Sequence, residues 1–321
     1  MADHDHMLLD AAERIFADLC DKAALDAAER GEFPLPLWTT LAENGFPTLA
    51  MPDSGAELGD AFALIRLAGR YAVPVPLAET LLANRWLGSA DGVSSIGRVA
   101  GQQVVDVPWG RQAETVLGLD ADAGAFVRVS CDPGAADVER GYNLAGEPRD
   151  ALTIPSGTEW IALSEPALAF LALARACAMA GALERLLALS LQYANEREQF
   201  GRPIARFQAI QHNLAVMAGE VAAAQRAADA AVEALQGERF ELEVAAAKAR
   251  VGEAAGVAAE IAHQVHGAMG YTYEHQLHHF TRRAWAWRDE YGGETYWQQR
   301  LGAHVAASGA DALWPFLATR G

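Results

Sequence analysis

Cysteine is scarce in this sequence of 321 residues, and no recognisable targeting segment is visible. Cys20, Cys131 and Cys177 lack metal-binding spacing, so we interpret them as buried apolar residues of a protein from a reducing cytoplasm. The chain does not open with a basic segment followed by an apolar stretch, and no membrane-spanning run is evident. We therefore expect a cytoplasmic protein without a membrane partner.

Basic residues are also few. Lysine and arginine number 25 against 42 aspartates and glutamates, which gives a net charge of −17. Such a surface repels nucleic acids and anionic membranes, so neither is expected as a partner. It also repels a polyanionic cofactor at long range, and any site for one would need local arginines.

Alanine is abundant in the sequence, and apolar residues recur at helical spacing. Phe207, Ile210, Leu214, Met217 and Val221 step by three and four residues, which predicts one buried helical stripe. Short valine-rich runs separated by Gly, Asp and Pro predict strands in the middle of the chain. The predicted fold is mainly α, with an N-terminal helical domain at 1–95, a reduced β middle segment at 96–158 and a C-terminal four-helix bundle at 159–321.

Two motifs in the bundle carry chemistry. The first, NEREQFGRPI, places Arg197 before a helix break at Gly201 and Pro203. A guanidinium near a helix end can bind phosphate oxygens with two hydrogen bonds, although such an arginine is often simply solvated. The second motif, QVHGAMG at 264–270, contains glycines whose backbone N–H groups can approach a phosphate closely, or can simply cap a helix.

Together these motifs and the predicted order of elements resemble the acyl-CoA dehydrogenases, flavoenzymes that oxidise acyl-CoA thioesters across Cα–Cβ. The resemblance is strongest over 185–300. It implies FAD as cofactor, with the arginine reaching the diphosphate of FAD in a neighbouring subunit. The cofactor contacts that it implies are Arg197, Gln199, Phe200, Phe207, Gln208, Gln264, Gly267, Ala268 and Gly270. Ala268 stands where the family usually has a second glycine. The methyl group of this alanine narrows the space through which FAD would approach the backbone.

The resemblance does not extend to the catalytic base. The family normally supplies a glutamate from a Tyr-Glu-Gly-Thr loop, and alignment on Thr295 puts Gly293 at that position. A minority of members place the base on the preceding long helix, where this chain has Leu171. Glu294 is one residue out of register and is the remaining candidate, or simply an exposed loop carboxylate. The β-segment stretches that cover the flavin ring in complete members are also missing.

Three functions stay open. The favoured one is the shortened partner subunit of a heteromeric acyl-CoA dehydrogenase, of the kind acting on steroid side chains, which lends nucleotide contacts to FAD held by a longer homologous chain. The second is a complete homo-oligomeric enzyme with a displaced base at Glu294. The third is a non-catalytic helical assembly protein without FAD. By resemblance, the enzyme's partners are acyl-CoA and an electron-transferring flavoprotein.

Five histidines lie between His263 and His279. They invite a metal interpretation, yet no carboxylate or cysteine stands at a recognisable ligand spacing. Core or solvated histidines are more usual, so the sequence predicts no metal site.

Overall fold

The computed structural model describes residues 2–90, 92–131 and 138–318. Its N-terminal part is helical, as predicted. The helices are α1 (Ala2–Leu19), α2 (Lys22–Glu29), α3 (Leu35–Glu43), α4 (Leu58–Arg70) and α5 (Leu77–Leu87). Local signals set the helix starts: the Asp21 side chain accepts a hydrogen bond from the backbone N–H of Ala24 at 2.8 Å and caps α2.

The middle part is a seven-stranded sheet in the order β5-β6-β2-β1-β3-β4-β7. Its strands are β1 (Ser94–Ala100), β2 (Gln103–Pro108), β3 (Thr115–Asp120), β4 (Ala125–Ser130), β5 (Val138–Glu139), β6 (Arg149–Thr153) and β7 (Trp160–Ala162). The β1–β3 pair is parallel, and the other pairs are antiparallel. The sheet therefore begins at Ser94 and ends at Ala162, whereas the sequence places this segment at 96–158.

The C-terminal part is a helical bundle. Its elements are α6 (Ala167–Glu196), a hairpin of β8 (Glu198–Gln199) and β9 (Arg202–Pro203), α7 (Gln208–Glu233), α8 (Phe240–His266), α9 (Leu277–Asp289), α10 (Glu294–Ser308) and α11 (Ala310–Ala318). Leu214, Met217 and Val221 of the predicted stripe are buried on α7. The predicted mainly α fold class, with its central sheet and C-terminal bundle, is confirmed.

Helix α6 is the centre of the molecule. It is long and apolar enough to cross a membrane, but 89% of its most apolar window is buried inside the protein, as in a core helix. Helix α4 packs against it at very close range. A Cβ added to Gly69 of α4 would lie 1.9 Å from the carbonyl oxygen of Ala178, and one added to Gly181 of α6 would lie 1.9 Å from that of Arg66. The two backbones therefore touch where both helices lack side chains.

The cysteines differ in part from the expectation. None of the three forms a disulfide within the described residues, but only Cys177 is fully buried, while Cys20 and Cys131 are intermediate. Burial raises the pKa of the Cys20 and Cys177 thiols to about 12, which makes both thiols poor nucleophiles at neutral pH.

Candidate functional site

The two sequence motifs, NEREQFGRPI and QVHGAMG, both lie at one cleft of about 580 Å³. Helix α6 ends at Glu196, and α8 ends at His266 beside it. Of the nine predicted cofactor contacts, seven line this cleft, which we call the nucleotide cleft: Arg197, Gln199, Phe200, Phe207, Gln264, Gly267 and Ala268. The other two do not line it. Gln208 is the first residue of α7, and Gly270 is a buried residue within the turn that follows α8.

Arg197 stands at the C-terminal end of α6. Its backbone leaves the helix in an extended conformation, and its exposed guanidinium has no hydrogen-bond or ion-pair partner within the described ranges. A free guanidinium at the rim of a cleft is available to an anion from outside the chain.

The hairpin after Arg197 presents an aromatic surface. Its turn requires positive φ at both Phe200 (52°) and Gly201 (76°), and this turn leaves Phe200 91% exposed. The Phe200 ring contacts the Phe207 ring edge-on with centroids 6.1 Å apart, and the Arg202 guanidinium lies 4.4 Å from the Phe207 centroid. An exposed aromatic edge of this kind suits a planar ring or a second protein surface.

The turn after α8 completes the cleft. Gly267 ends the helix with a φ of 57° and a ψ of −138°, a conformation that strongly favours glycine. An added Cβ at Gly270 would meet the Cβ of His266 at 3.0 Å, so this glycine serves packing. His266 is itself buried, stacks on Tyr193 at 4.5 Å and supports the floor of the cleft.

A second cleft of about 690 Å³ lies between the sheet and the bundle. It is bounded by β1, β2 and β3 on one side and by α9 and the loop after it on the other. Its charged lining residues are Arg98, Asp106, Asp122, Arg149, Asp289 and Glu290. We call it the central cleft. A carboxylate that acts as the base there must face this cleft and must not be held in an ion pair.

Glu290 lines the central cleft but is held in a buried ion network. Its carboxylate accepts hydrogen bonds from Arg149 Nε at 2.9 Å and Asn143 Nδ2 at 3.2 Å, and from Arg175 of α6. Burial raises the pKa of Glu290, but Arg149 and Arg175 outweigh burial and lower it to about 2. A carboxylate with so low a pKa is a weak proton acceptor.

None of the base positions considered from the sequence presents a carboxylate to the central cleft. Leu171 is 1% exposed in the core of α6, and Gly293 is the residue before α10. Glu294 is not the exposed loop carboxylate that the sequence also allowed. It is the first residue of α10, pairs with Arg288 Nε and packs where an added Cβ of Gly252 would lie, and it does not line the central cleft.

Lys248 of α8 holds the loop between α9 and α10, which contains Gly293. Its Nζ donates to the carbonyl oxygens of Arg288 at 2.6 Å, Gly292 at 2.8 Å and Trp287 at 3.3 Å. Burial lowers the pKa of Lys248 to about 8. Trp287 and Arg288 belong to the end of α9 and Gly292 to the loop before Glu294, so this ammonium ties the loop to α8 and α9.

Comparisons with known proteins agree with this architecture. The family model "Acyl-CoA dehydrogenase, C-terminal domain" matches residues 161–303. The acyl-CoA dehydrogenase IpdE2 of Mycobacterium tuberculosis is 30% identical over 299 residues, which cover 87% of this chain and 90% of that protein.

Two solved structures share the fold. A variant of the steroid ACAD Tcur3481-Tcur3483 has a TM-score of 0.83 at 23% identity, covering 96% of this chain and 99% of that one. The ChsE4-ChsE5 complex of Mycobacterium tuberculosis also has a TM-score of 0.83, at 21% identity, covering 95% and 98%.

Helices, sheet and bundle in this order define the acyl-CoA dehydrogenase fold. The chain belongs to the acyl-CoA dehydrogenase family. At the level of its complex, the activity is that of an acyl-CoA dehydrogenase.

Proposed function

We propose that this chain is the partner subunit of a heteromeric FAD-dependent acyl-CoA dehydrogenase, contributing nucleotide contacts and no base. One contrast carries the proposal. Arg197 in the nucleotide cleft has no ion-pair partner among the described residues, whereas the Glu290 carboxylate in the central cleft is ion-paired with Arg149 and Arg175. Two structural relatives named as pairs, Tcur3481-Tcur3483 and ChsE4-ChsE5, support a two-chain assembly.

The nucleotide cleft fits the diphosphate end of FAD. It combines a guanidinium that has no partner within the described part of the chain, a glycine with positive φ and an exposed aromatic edge, which suit a phosphate and a planar ring. When bound, FAD would supply the acceptor for the hydride that leaves Cβ of the acyl-CoA. In this proposal, Arg197 binds the diphosphate, Gln264 and the backbone around Gly267 and Ala268 bind the nucleotide, and the longer subunit removes the α-proton.

The relatives also favour a substrate class. The steroid ACAD among the structural neighbours favours a steroid or related lipid acyl-CoA. An electron-transferring flavoprotein would then reoxidise the flavin, by analogy with the family.

The decisive experiment follows the flavin. The chain is purified alone and after co-expression with the longer homologous chain that co-purifies with it from the native host. We expect colourless protein alone and a yellow complex that reduces a dye with acyl-CoA. Flavin bound by the isolated chain would favour the homo-oligomeric enzyme, and a complex without flavin would favour an assembly protein.

Arg197→Ala should weaken FAD retention by the complex. Loss of a charge-assisted contact to the diphosphate costs about 1.5–3 kcal/mol, or roughly 10- to 150-fold in affinity. The measurement is flavin content after dialysis. Arg206→Ala, an exposed arginine outside the nucleotide cleft, is the matched control and should retain flavin. Equal flavin in both variants would rule out this role for Arg197.

Glu294→Gln should leave turnover by the complex unchanged, because Glu294 pairs with Arg288 and lies outside the central cleft. The measurement is kcat with acyl-CoA and a dye acceptor, with circular dichroism to check folding. A fall of about 10²-fold or more in a folded variant would restore Glu294 as the base and contradict the proposed division of labour.

A further inference from the structure

A cluster outside both clefts joins the N-terminal helices to the bundle. Asp26 of α2 faces His278 and His279 of α9, and each of the three offers one ligand atom. These atoms all lie within 4.8 Å of one another. Both histidines are at least nine-tenths buried, at 8% and 0% exposure, so a polar atom without a partner there is costly.

The Nδ1 atom of each histidine ring already has a hydrogen-bond partner. His278 Nδ1 lies 2.8 Å from the carbonyl oxygen of His275, which can only accept, so Nδ1 carries the proton. His279 Nδ1 lies 2.7 Å from Glu29 Oε1. Glu29 Oε1 also accepts a hydrogen bond from Arg283 Nη1 at 2.8 Å, and Glu29 Oε2 accepts one from Arg282 Nη1 at 3.1 Å, so this ion-paired carboxylate accepts from His279 as well. In the neutral rings, both Nε2 atoms therefore keep a lone pair.

Neither lone pair has a hydrogen-bond partner among the residues that the structure describes. His278 Nε2 and His279 Nε2 are buried and unsatisfied, although Asp26 Oδ1 is only 3.2 Å from His279 Nε2. In a tetrahedral zinc site with bonds of about 2.0–2.1 Å, neighbouring ligand atoms are about 3.3–3.4 Å apart. Asp26 Oδ2 is occupied by Lys22 Nζ at 2.6 Å, which leaves Oδ1 for the cluster.

We propose that Asp26, His278 and His279 form a binding site for a divalent first-row transition metal of the Zn²⁺ type. Two imidazoles and one carboxylate are a ligand set for such ions, with a fourth position left for water. The Nδ1 hydrogen bonds to a carbonyl and to a carboxylate are the usual outer contacts of metal-bound histidines. The Asp26 side chain is 32% exposed and provides an entry path.

The site has a structural consequence. Because Asp26 belongs to α2 and both histidines to α9, the ion would join the N-terminal helices to the C-terminal bundle. The sequence could not indicate this site, since the carboxylate ligand is far from the histidines along the chain. Metal that binds only the folded protein raises its stability.

The test uses the full chain, stripped with a chelator and then titrated with Co²⁺ alone and with Zn²⁺ alone. We expect one equivalent per chain, a visible Co²⁺ absorption that Zn²⁺ abolishes, and a higher Tm with Zn²⁺. Asp26→Ala and His278→Gln should each weaken binding by about 10-fold or more. His212→Gln, an exposed histidine of α7, is the control and should bind as the natural chain does.

Asp26→Ala is the variant less prone to unfold, since the Asp26 side chain is partly exposed. Circular dichroism checks that each variant folds. No binding by the natural chain would overturn the proposal and leave His279 as a contact between Asp26 and Glu29 only. Equal binding by folded Asp26→Ala and the natural chain would also overturn it, since the ion would then lie elsewhere.

Discussion

Glu290→Gln should lower the free energy of unfolding by about 3–5 kcal/mol at neutral pH. The glutamate is 18% exposed and sits between Arg149 and Arg175, which approach from the sheet and from the central helix. The amide has the same shape but no charge, so two buried guanidinium groups lose the carboxylate they share. Urea unfolding of the natural chain and the variant measures the loss. Glu233→Gln, from the exposed pair with Arg226, is the control and should show no measurable change.

The effect of Glu290→Gln should also depend on pH in a defined direction. The pKa of Glu290 in the folded chain is lowered from 4.5 to about 2, so its contribution is complete above pH 4.5 and is lost as pH falls toward 2. The difference in stability between the natural chain and the variant should therefore shrink in acid, over the range in which both remain folded. A difference that stayed constant below pH 4.5 would contradict the ion-pair account.

The same variant separates a structural role from a catalytic one. If Glu290 were the base, the folded complex would lose about 10²- to 10⁴-fold in turnover. We expect turnover to be largely kept at a temperature at which the variant is folded, because two arginines already hold this carboxylate ionised and occupied.

The sequence predicted the elements and the nucleotide cleft better than the charged interior. Helical periodicity is local, so α6, α7 and α8 follow from their own residues. Family resemblance predicts that Arg197 and Gln264 both contribute to a nucleotide site, and the structure brings both to one cleft. Whether they contact FAD stays a prediction.

The partners of Glu290 were beyond sequence reasoning for a physical reason. Arg149 comes from β6 and Arg175 from the first third of α6, where periodicity predicts only an apolar core. Which charges meet depends on how sheet and bundle dock, and no local signal encodes that. The same holds for Asp26 and the two adjacent histidines.

Gly181→Ala should destabilise the chain by about 3 kcal/mol or more, although glycine to alanine inside a helix normally stabilises by about 1 kcal/mol. The added Cβ would lie 1.9 Å from the carbonyl oxygen of Arg66 and 2.8 Å from the backbone nitrogen of Arg70. Both atoms belong to the backbone of α4, so no side chain can rotate away and the two helices must separate. Separation would loosen the core contacts of Leu64, Ile65 and Met179.

Gly219→Ala in α7 is the matched control for this prediction. It is the same substitution in a long helix of the same bundle, but an added Cβ there meets nothing within 4 Å. It should stabilise the chain by about 0.5–1 kcal/mol, so the two variants should shift the urea midpoint in opposite directions. If Gly181→Ala were neutral or stabilising, α4 and α6 would not pack backbone to backbone, and the N-terminal helices would rest on the bundle through side chains instead.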